Sequence, residues 1–166
     1  SSLVGSEMCI RDKAGADILD VNVGLPEIDE ADMMVRTVKA LQGVTDAPLQ
    51  LDSTDPKVLE RALRVYCGKA IVNSVNGEEE SLSTILPLVK KYGAAVVGLT
   101  LDQGGIPKSA QARVEVARRI LERALALGVR REDVYIDCLT LTVSAEQEGA
   151  AQTLTALRRA KEELGL

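Results

Sequence analysis

The chain has 166 residues, of which 46% are hydrophobic and 27% charged, so its composition suits one soluble domain with a packed core. A formal charge of −5 argues against nucleic-acid binding, and no apolar run approaches the roughly 20 residues that a membrane span requires. The chain has no histidine, which excludes a Ser-His-Asp triad and a histidine-ligated metal site, and its three cysteines, without zinc-type spacing, favour a reducing cytoplasm.

The first twelve residues have no clear period and no helix cap, and they fit nothing that follows. The string from Ser2 to Asp12 resembles translated adapter sequence, and a flexible native N-terminus is the alternative. In either case we expect residues 1–12 to be a non-native or disordered segment, and residues 13–166 to form the folded domain.

From Lys13 onward, short β-rich runs alternate with amphipathic helical stretches. The five predicted strands are Ile18–Val23, Pro48–Ser53, Ala70–Val75, Ala94–Thr100 and Val134–Thr140. Five β-α units in series without hairpin signals predict a parallel sheet, which can be an open doubly wound sheet or a closed barrel.

The helices between these strands carry clear boundary signals. Asp55 followed by Pro56 predicts one helix start, Ser109 predicts another, and Ser144 with Gln147 forms a capping-box pair before the last helix. The last helix is predicted to bury an apolar face made of Leu154, Leu157 and Leu164.

Polar residues decide between the two kinds of sheet. Because strand side chains alternate between faces, one face of each strand is apolar, while the other turns polar towards the strand's C-terminal end. The polar face carries Asp20 and Asn22, Gln50 and Asp52, Asn73 together with Ile71 and Val75, and Asp137 together with Tyr135 and Leu139. An open doubly wound sheet would be apolar on both faces, whereas a barrel carries its active site at the C-terminal mouth. The pattern therefore predicts an α/β chain of the (β/α)8 TIM-barrel type, truncated to about five β-α units.

The polar array also indicates a ligand. A lone strand-end aspartate such as Asp52 can be merely a helix cap, but its repetition on four strands indicates a binding site. Unpaired carboxylates in an apolar barrel would cost roughly several kcal/mol each. Aspartate and asparagine can hydrogen-bond the N–H groups and ring nitrogens of a flat heterocycle. A phosphate is disfavoured because no glycine-rich phosphate loop is present, and Gly104-Gly105 is interpreted as a turn.

Five segments in order resemble the pterin-binding domain of cobalamin-dependent methionine synthases and related corrinoid methyltransferases. Residues 15–24, Gly-Ala-Asp-Ile-Leu-Asp-Val-Asn-Val-Gly, resemble that family's second-strand motif. The following strands are matched by residues 51–53, 72–77, 98–102 and 136–140. The resemblance covers essentially everything from Gly15 to Leu166.

This resemblance implies a substrate and a set of contacts. The family binds 5-methyltetrahydrofolate and passes the N5-methyl group to cob(I)alamin, which a separate domain or corrinoid protein holds. Asp52, Asn73 and Asp137 would hydrogen-bond the pterin ring, and Asn22 and Asp20 would form the floor or wall of the same pocket. No catalytic residue and no metal ligand is assigned, and no nucleic-acid or membrane partner is expected.

The resemblance also implies that strands two to six of the barrel are present. The family's first strand would precede Lys13, and its seventh strand, with an asparagine that helps at N5, would follow Leu166. We therefore expect a methyltransferase as the parent protein, a catalytically inert fragment for the isolated chain, and unpaired sheet edges that favour marginal stability or self-association. A dihydropteroate synthase-like pterin enzyme is the alternative, but its Pro-Gly-rich motif and strand-end Lys/Arg set are not apparent here.

Overall fold

A computed structural model describes residues 15–25, 28–141 and 147–166, without the side chains of Gln147 and Glu148. The predicted N-terminal segment 1–12 and the Ser144–Gln147 capping pair lie outside the described residues and side chains. The strands are β1 (Leu19–Asn22), β2 (Leu49–Asp52), β3 (Ile71–Asn76), β4 (Ala95–Leu99) and β5 (Val134–Asp137). The helices are α1 (Glu30–Gln42), α2 (Pro56–Leu63), α3 (Glu79–Tyr92), α4 (Ala110–Ala126) and α5 (Gln147–Arg159), which continues as a π-helical turn (Ala160–Leu164), and a short 3-10 helix (Arg131–Asp133) precedes β5.

The five strands form one parallel sheet in the order β1-β2-β3-β4-β5. Each helix packs against the helix that follows it in the chain. Most buried strand residues lie on the helix-covered face, and they include Leu19, Val21, Leu49, Leu51, Val72, Val75, Val96 and Val134. A sheet with sequential strand order and one covered face is a segment of a barrel, so the predicted fold class is confirmed.

Local sequence explains where the helices begin and end. The Asp55 side chain accepts a hydrogen bond from Lys57 N (2.8 Å), with Pro56 as the first residue of α2. The Ser109 side chain caps α4 in the same way, accepting from Ala112 N (3.2 Å). Gly93 ends α3 in the left-handed region at φ 64°, where glycine is preferred. The starts of α2 and α4 follow the sequence prediction.

The prediction for the last helix is wrong in part. Leu164 is buried, but Leu154 is 69% and Leu157 44% exposed. The side of α5 that faces α4 carries smaller residues, Thr153 and Ala156, because the Arg113 side chain of α4 reaches across to Thr153 Oγ1 (2.7 Å). The spacing of leucines in the sequence therefore did not identify the side of α5 that packs against α4.

Candidate functional site

The sheet face away from the helices, called the inner face here, is lined by polar side chains near the C-terminal strand ends. Its members on the five strands are Asp20, Asn22, Gln50, Asp52, Ile71, Asn73, Asn76, Ala95, Val97, Leu99, Tyr135 and Asp137. The apolar members are Ile71, Ala95, Val97 and Leu99, and of all the members only Ala95 is buried. The inner face therefore presents mainly polar groups near the strand ends.

Asn22 and Asp52 form a hydrogen-bonded pair at the β1–β2 side of this face. The parallel register places them opposite each other on β1 and β2, and Asn22 Nδ2 donates to Asp52 Oδ2 over 2.8 Å. Asp52 is not a helix cap, because Asp55 caps α2. Asn22 Oδ1 in turn accepts from Gly24 N (3.1 Å), which fixes the orientation of its amide.

A second hydrogen-bonded pair lies on the same two strands, two residues before Asn22 and Asp52. Gln50 Nε2 donates to Asp20 Oδ1 over 2.7 Å, and the two residues face each other in the β1–β2 register. Alternation of strand side chains put Gln50 on the correct face, but sequence reasoning gave it no role. Gln50 thus supplies a hydrogen-bond donor to one oxygen of the Asp20 carboxylate.

Asn73 lies level with Asp52 across the β2–β3 register, and Ser53 N donates to the Asn73 carbonyl over 3.0 Å. The predicted pairing of Asn73 with Val75 on one face is wrong, because the register of β3 shifts between these residues. Val75 is fully buried under the helices as a result. Period-two alternation fails at such an irregularity.

Asp137 lies one level nearer the strand ends than Asn73. Its register neighbour is Leu99, which in turn is level with Asn76 on β3. Asp137 Oδ1 accepts from Leu139 N over 2.7 Å, and its carbonyl accepts from Thr100 N over 3.0 Å. The structure thus brings Asn22, Asp52 and Asn73 to one level and Asp137 to the next.

Asn76 follows the bulge in β3 and is level with Leu99. Sequence reasoning did not single this residue out. Asn76 is half-buried, and its Oδ1 accepts from Glu78 N (2.9 Å), which shapes the loop leading to α3. A cleft of about 350 Å³ opens beside it, lined by Thr54, Ser74, Asn76, Ser81, Leu99 and Leu101 among others. This cleft borders the inner face and mixes hydroxyl groups with apolar surface.

Cys138 follows Asp137 in the chain, but its side chain belongs to the core on the helix side of the sheet. It is 1% exposed, and burial, together with the charge of Asp137, raises the pKa of its thiol. A buried, protonated thiol is a packing group rather than a nucleophile.

The charged side chains of the inner face in the described strands are all aspartates. Asp20, Asp52 and Asp137 are hydrogen-bonded by amide groups, and no lysine or arginine belongs to this face in the described strands. Such a face accepts hydrogen bonds from N–H groups and repels anions. Within the described residues, no group of three His, Cys, Asp or Glu side chains could hold a metal ion.

The family of this chain follows from its sequence match. The sequence model described as "Pterin binding enzyme" matches residues 10–166, nearly the whole chain. The chain belongs to the pterin-binding enzyme family. This membership confirms the family resemblance of the strand motifs.

The chain is also similar to curated proteins with more specific names. Methionine synthase from Mycobacterium leprae is 33% identical over 90% of this chain, and the M. tuberculosis protein is 34% identical over 89%. The methylcorrinoid:tetrahydrofolate methyltransferase of Eubacterium limosum is 30% identical over 84%. The chain spans 13% of each mycobacterial relative and 55% of the E. limosum protein.

Solved structures with this fold include dihydropteroate synthase from Vibrio fischeri. Its TM-score is 0.73 at 18% identity, with 97% of this chain and 63% of that chain covered. At such identity the likeness shows the fold alone. Among the described residues, no helix is long and apolar enough to cross a membrane.

Proposed function

We propose that the inner face binds the pterin ring of 5-methyltetrahydrofolate. The observation that carries this proposal is the layer formed by Asn22, Asp52 and Asn73, with Asp137 one level above it. Two curated relatives, a methionine synthase and a methylcorrinoid:tetrahydrofolate methyltransferase, support the folate substrate.

Each member of the layer has a chemical reason for its place. Asp52 accepts from Asn22 through Oδ2 only, so its Oδ1 is available for the N–H donors of the ring. Asp137 likewise commits Oδ1 to Leu139 N, and Asn73 offers an amide that both donates and accepts. Asn22 and Asp20 complete the wall and hold their neighbours in place.

In the complete protein, we propose, the bound methyl group passes to cob(I)alamin held by a separate domain or a corrinoid protein. The bond from N5 to the methyl carbon breaks with its electron pair left on N5, so a proton or a hydrogen bond at N5 lowers the barrier. Polar groups fixed before the reaction stabilise the changing charge without reorganisation. The residues of this chain bind and orient the ring, and the catalytic group at N5 remains unassigned.

The dihydropteroate synthase-like alternative requires an anion-binding Lys/Arg set at the strand ends. The described strands offer Asp20, Asp52 and Asp137 instead. Three carboxylates without a cation would repel an anionic group. The charge of the inner face therefore favours the methyltetrahydrofolate proposal.

Calorimetric titration of the chain with 5-methyltetrahydrofolate tests the proposal. We expect saturable binding that Asp52→Ala and Asp137→Ala each weaken by about tenfold or more, since a hydrogen bond to a charged group contributes roughly 1.5–3 kcal/mol. Asp46→Ala is the matched control, because Asp46 is an exposed aspartate lining a different cleft, and we expect unchanged affinity.

Two results would contradict the proposal. One is unchanged affinity in both Asp52→Ala and Asp137→Ala. The other is no saturable heat with the unchanged chain, which would favour an inert fragment.

A further inference from the structure

Arg113, in the first turn of α4, is a buried arginine that the strand-end array does not include. Arg113 is 4% exposed, and its Nε and Nη1 atoms both have hydrogen-bond acceptors. Nε donates to Pro107 O (2.8 Å), and Nη1 donates to Cys138 O (3.0 Å), Leu139 O (2.8 Å) and Thr153 Oγ1 (2.7 Å). One guanidinium therefore joins the loop before α4, the segment after β5 and helix α5.

Leu139 connects this guanidinium to the inner face. Its carbonyl accepts from Arg113 and from Thr153 Oγ1 (2.8 Å), while its N–H donates to Asp137 Oδ1 (2.7 Å). Leu139 also has φ 51°, the left-handed region that leucine disfavours. Such a conformation persists only where surrounding contacts hold it, and the two hydrogen bonds to its carbonyl do so.

We propose that Arg113 is a positioning residue that fixes the Asp137 carboxylate for the pterin ring, an inference that rests on the proposed function. Arg113 holds the Leu139 carbonyl, and the Leu139 N–H holds one oxygen of Asp137. The second oxygen of Asp137 then points in a defined direction. A planar guanidinium suits this role, because it donates from several N–H groups in fixed directions, whereas lysine offers one ammonium.

Hydrogen exchange at the Leu139 amide tests the link without any ligand. In Arg113→Lys we expect this amide to exchange about tenfold faster than in the unchanged chain, relative to reporter amides in β3 and β4, because its hydrogen bond to Asp137 opens locally. Thr153→Val, which removes one bond to the same carbonyl, should accelerate exchange in the same direction and less. It serves as the second variant where Arg113→Lys lowers stability too far.

Ile120→Ala is the matched control. Ile120 is buried in the same helix, and its aliphatic side chain forms no hydrogen bond to Leu139 or Asp137. It should change Leu139 and the reporter amides together, in step with global stability. Equal acceleration in Ile120→Ala and Arg113→Lys, or an unchanged Leu139 rate in Arg113→Lys, would overturn the link.

A double-mutant cycle on affinity tests the role in binding. Arg113→Lys should weaken 5-methyltetrahydrofolate binding by about tenfold in the unchanged background and have no further effect in Asp137→Ala. An equal loss in both backgrounds would make Arg113 a structural residue only. Absence of binding by the unchanged chain would overturn the proposed function and the pterin role with it, while Leu139 exchange would still decide the link from Arg113 to Asp137.

Discussion

Gly77 lies where the loop after β3 is too close to its neighbours to leave room for a side chain. A Cβ at this position would lie 2.7 Å from Val116 Cγ1 and 3.0 Å from Leu101 O, and the Gly77 N–H already donates to Leu101 O over 2.8 Å. The residue lets the loop after β3 pass against the loop after β4 and helix α4, next to the inner face.

Gly77→Ala should therefore destabilise the fold by about 1–3 kcal/mol through overpacking. Urea denaturation measures this change in the free energy of unfolding. Gly43→Ala is the control, because the nearest atom to a Cβ at Gly43 is Ala40 O at 3.4 Å and its φ of −82° suits alanine. An equal loss of stability in both variants would show that the tight contact at Gly77 is not the cause.

The sequence largely predicted which residues lie on the inner face. It did not predict which of them hydrogen-bond to each other. Alternation placed Asp20, Asn22 and Asp52 correctly because β1 and β2 are regular. The Asn22–Asp52 and Gln50–Asp20 hydrogen bonds depend on the register between two strands about 30 residues apart in the chain, which no local pattern carries. The buried cation Arg113 gave no signal, because its partners are mostly backbone carbonyls.

At the scale of elements, Glu60 ties α2 to α3. Its Oε1 accepts from Lys91 Nζ (2.7 Å), Arg64 Nη2 (3.1 Å) and Tyr92 OH (3.3 Å). The hydrogen bond from Lys91, followed by that from Arg64, lowers the pKa of Glu60 from 4.5 to about 2. The carboxylate thus stabilises the folded chain above pH 4.5, and this contribution falls as the pH drops from 4.5 to about 2.

Glu60→Gln should destabilise the fold at neutral pH, and its difference from the unchanged chain should shrink as acid titrates Glu60. Urea denaturation at several pH values measures this difference, and high salt should reduce it because the pairs are at the surface. Glu122→Gln, an exposed carboxylate on α4, is the control and should show no comparable change with pH. A difference for Glu60→Gln that grows in acid would contradict the assignment.

Elements with strong local signals were predicted well, and packing sides less so. Caps at Asp55 and Ser109 fixed two helix starts in the sequence and in the structure. The exposed Leu154 and Leu157 show that an apolar period does not specify which neighbour a helix meets. The register shift in β3 similarly moved Val75 under the helices, because a bulge depends on the two flanking strands.

At the scale of the whole molecule, sequential parallel strands place the helices on one sheet face and leave a largely polar surface on the other. The repeated polar strand ends predicted this division before any register was known. Level relations could not be predicted: Asp137 is level with Asn76 rather than with Asn73. The chain spans 63% of the Vibrio fischeri structure and little of the methionine synthases, so methyl transfer is a proposal about the complete protein.

Mapping the ligand on the isotope-labelled chain by NMR tests most directly whether the inner face binds the pterin ring. On addition of 5-methyltetrahydrofolate, we predict saturable shifts of the side-chain amide signals of Asn22 and Asn73 and of the backbone amide of Leu139. These groups lie in or next to the layer that we propose contacts the ring. Shifts confined to the cleft around Gln42 and Tyr66, or no saturable shifts, would contradict the account.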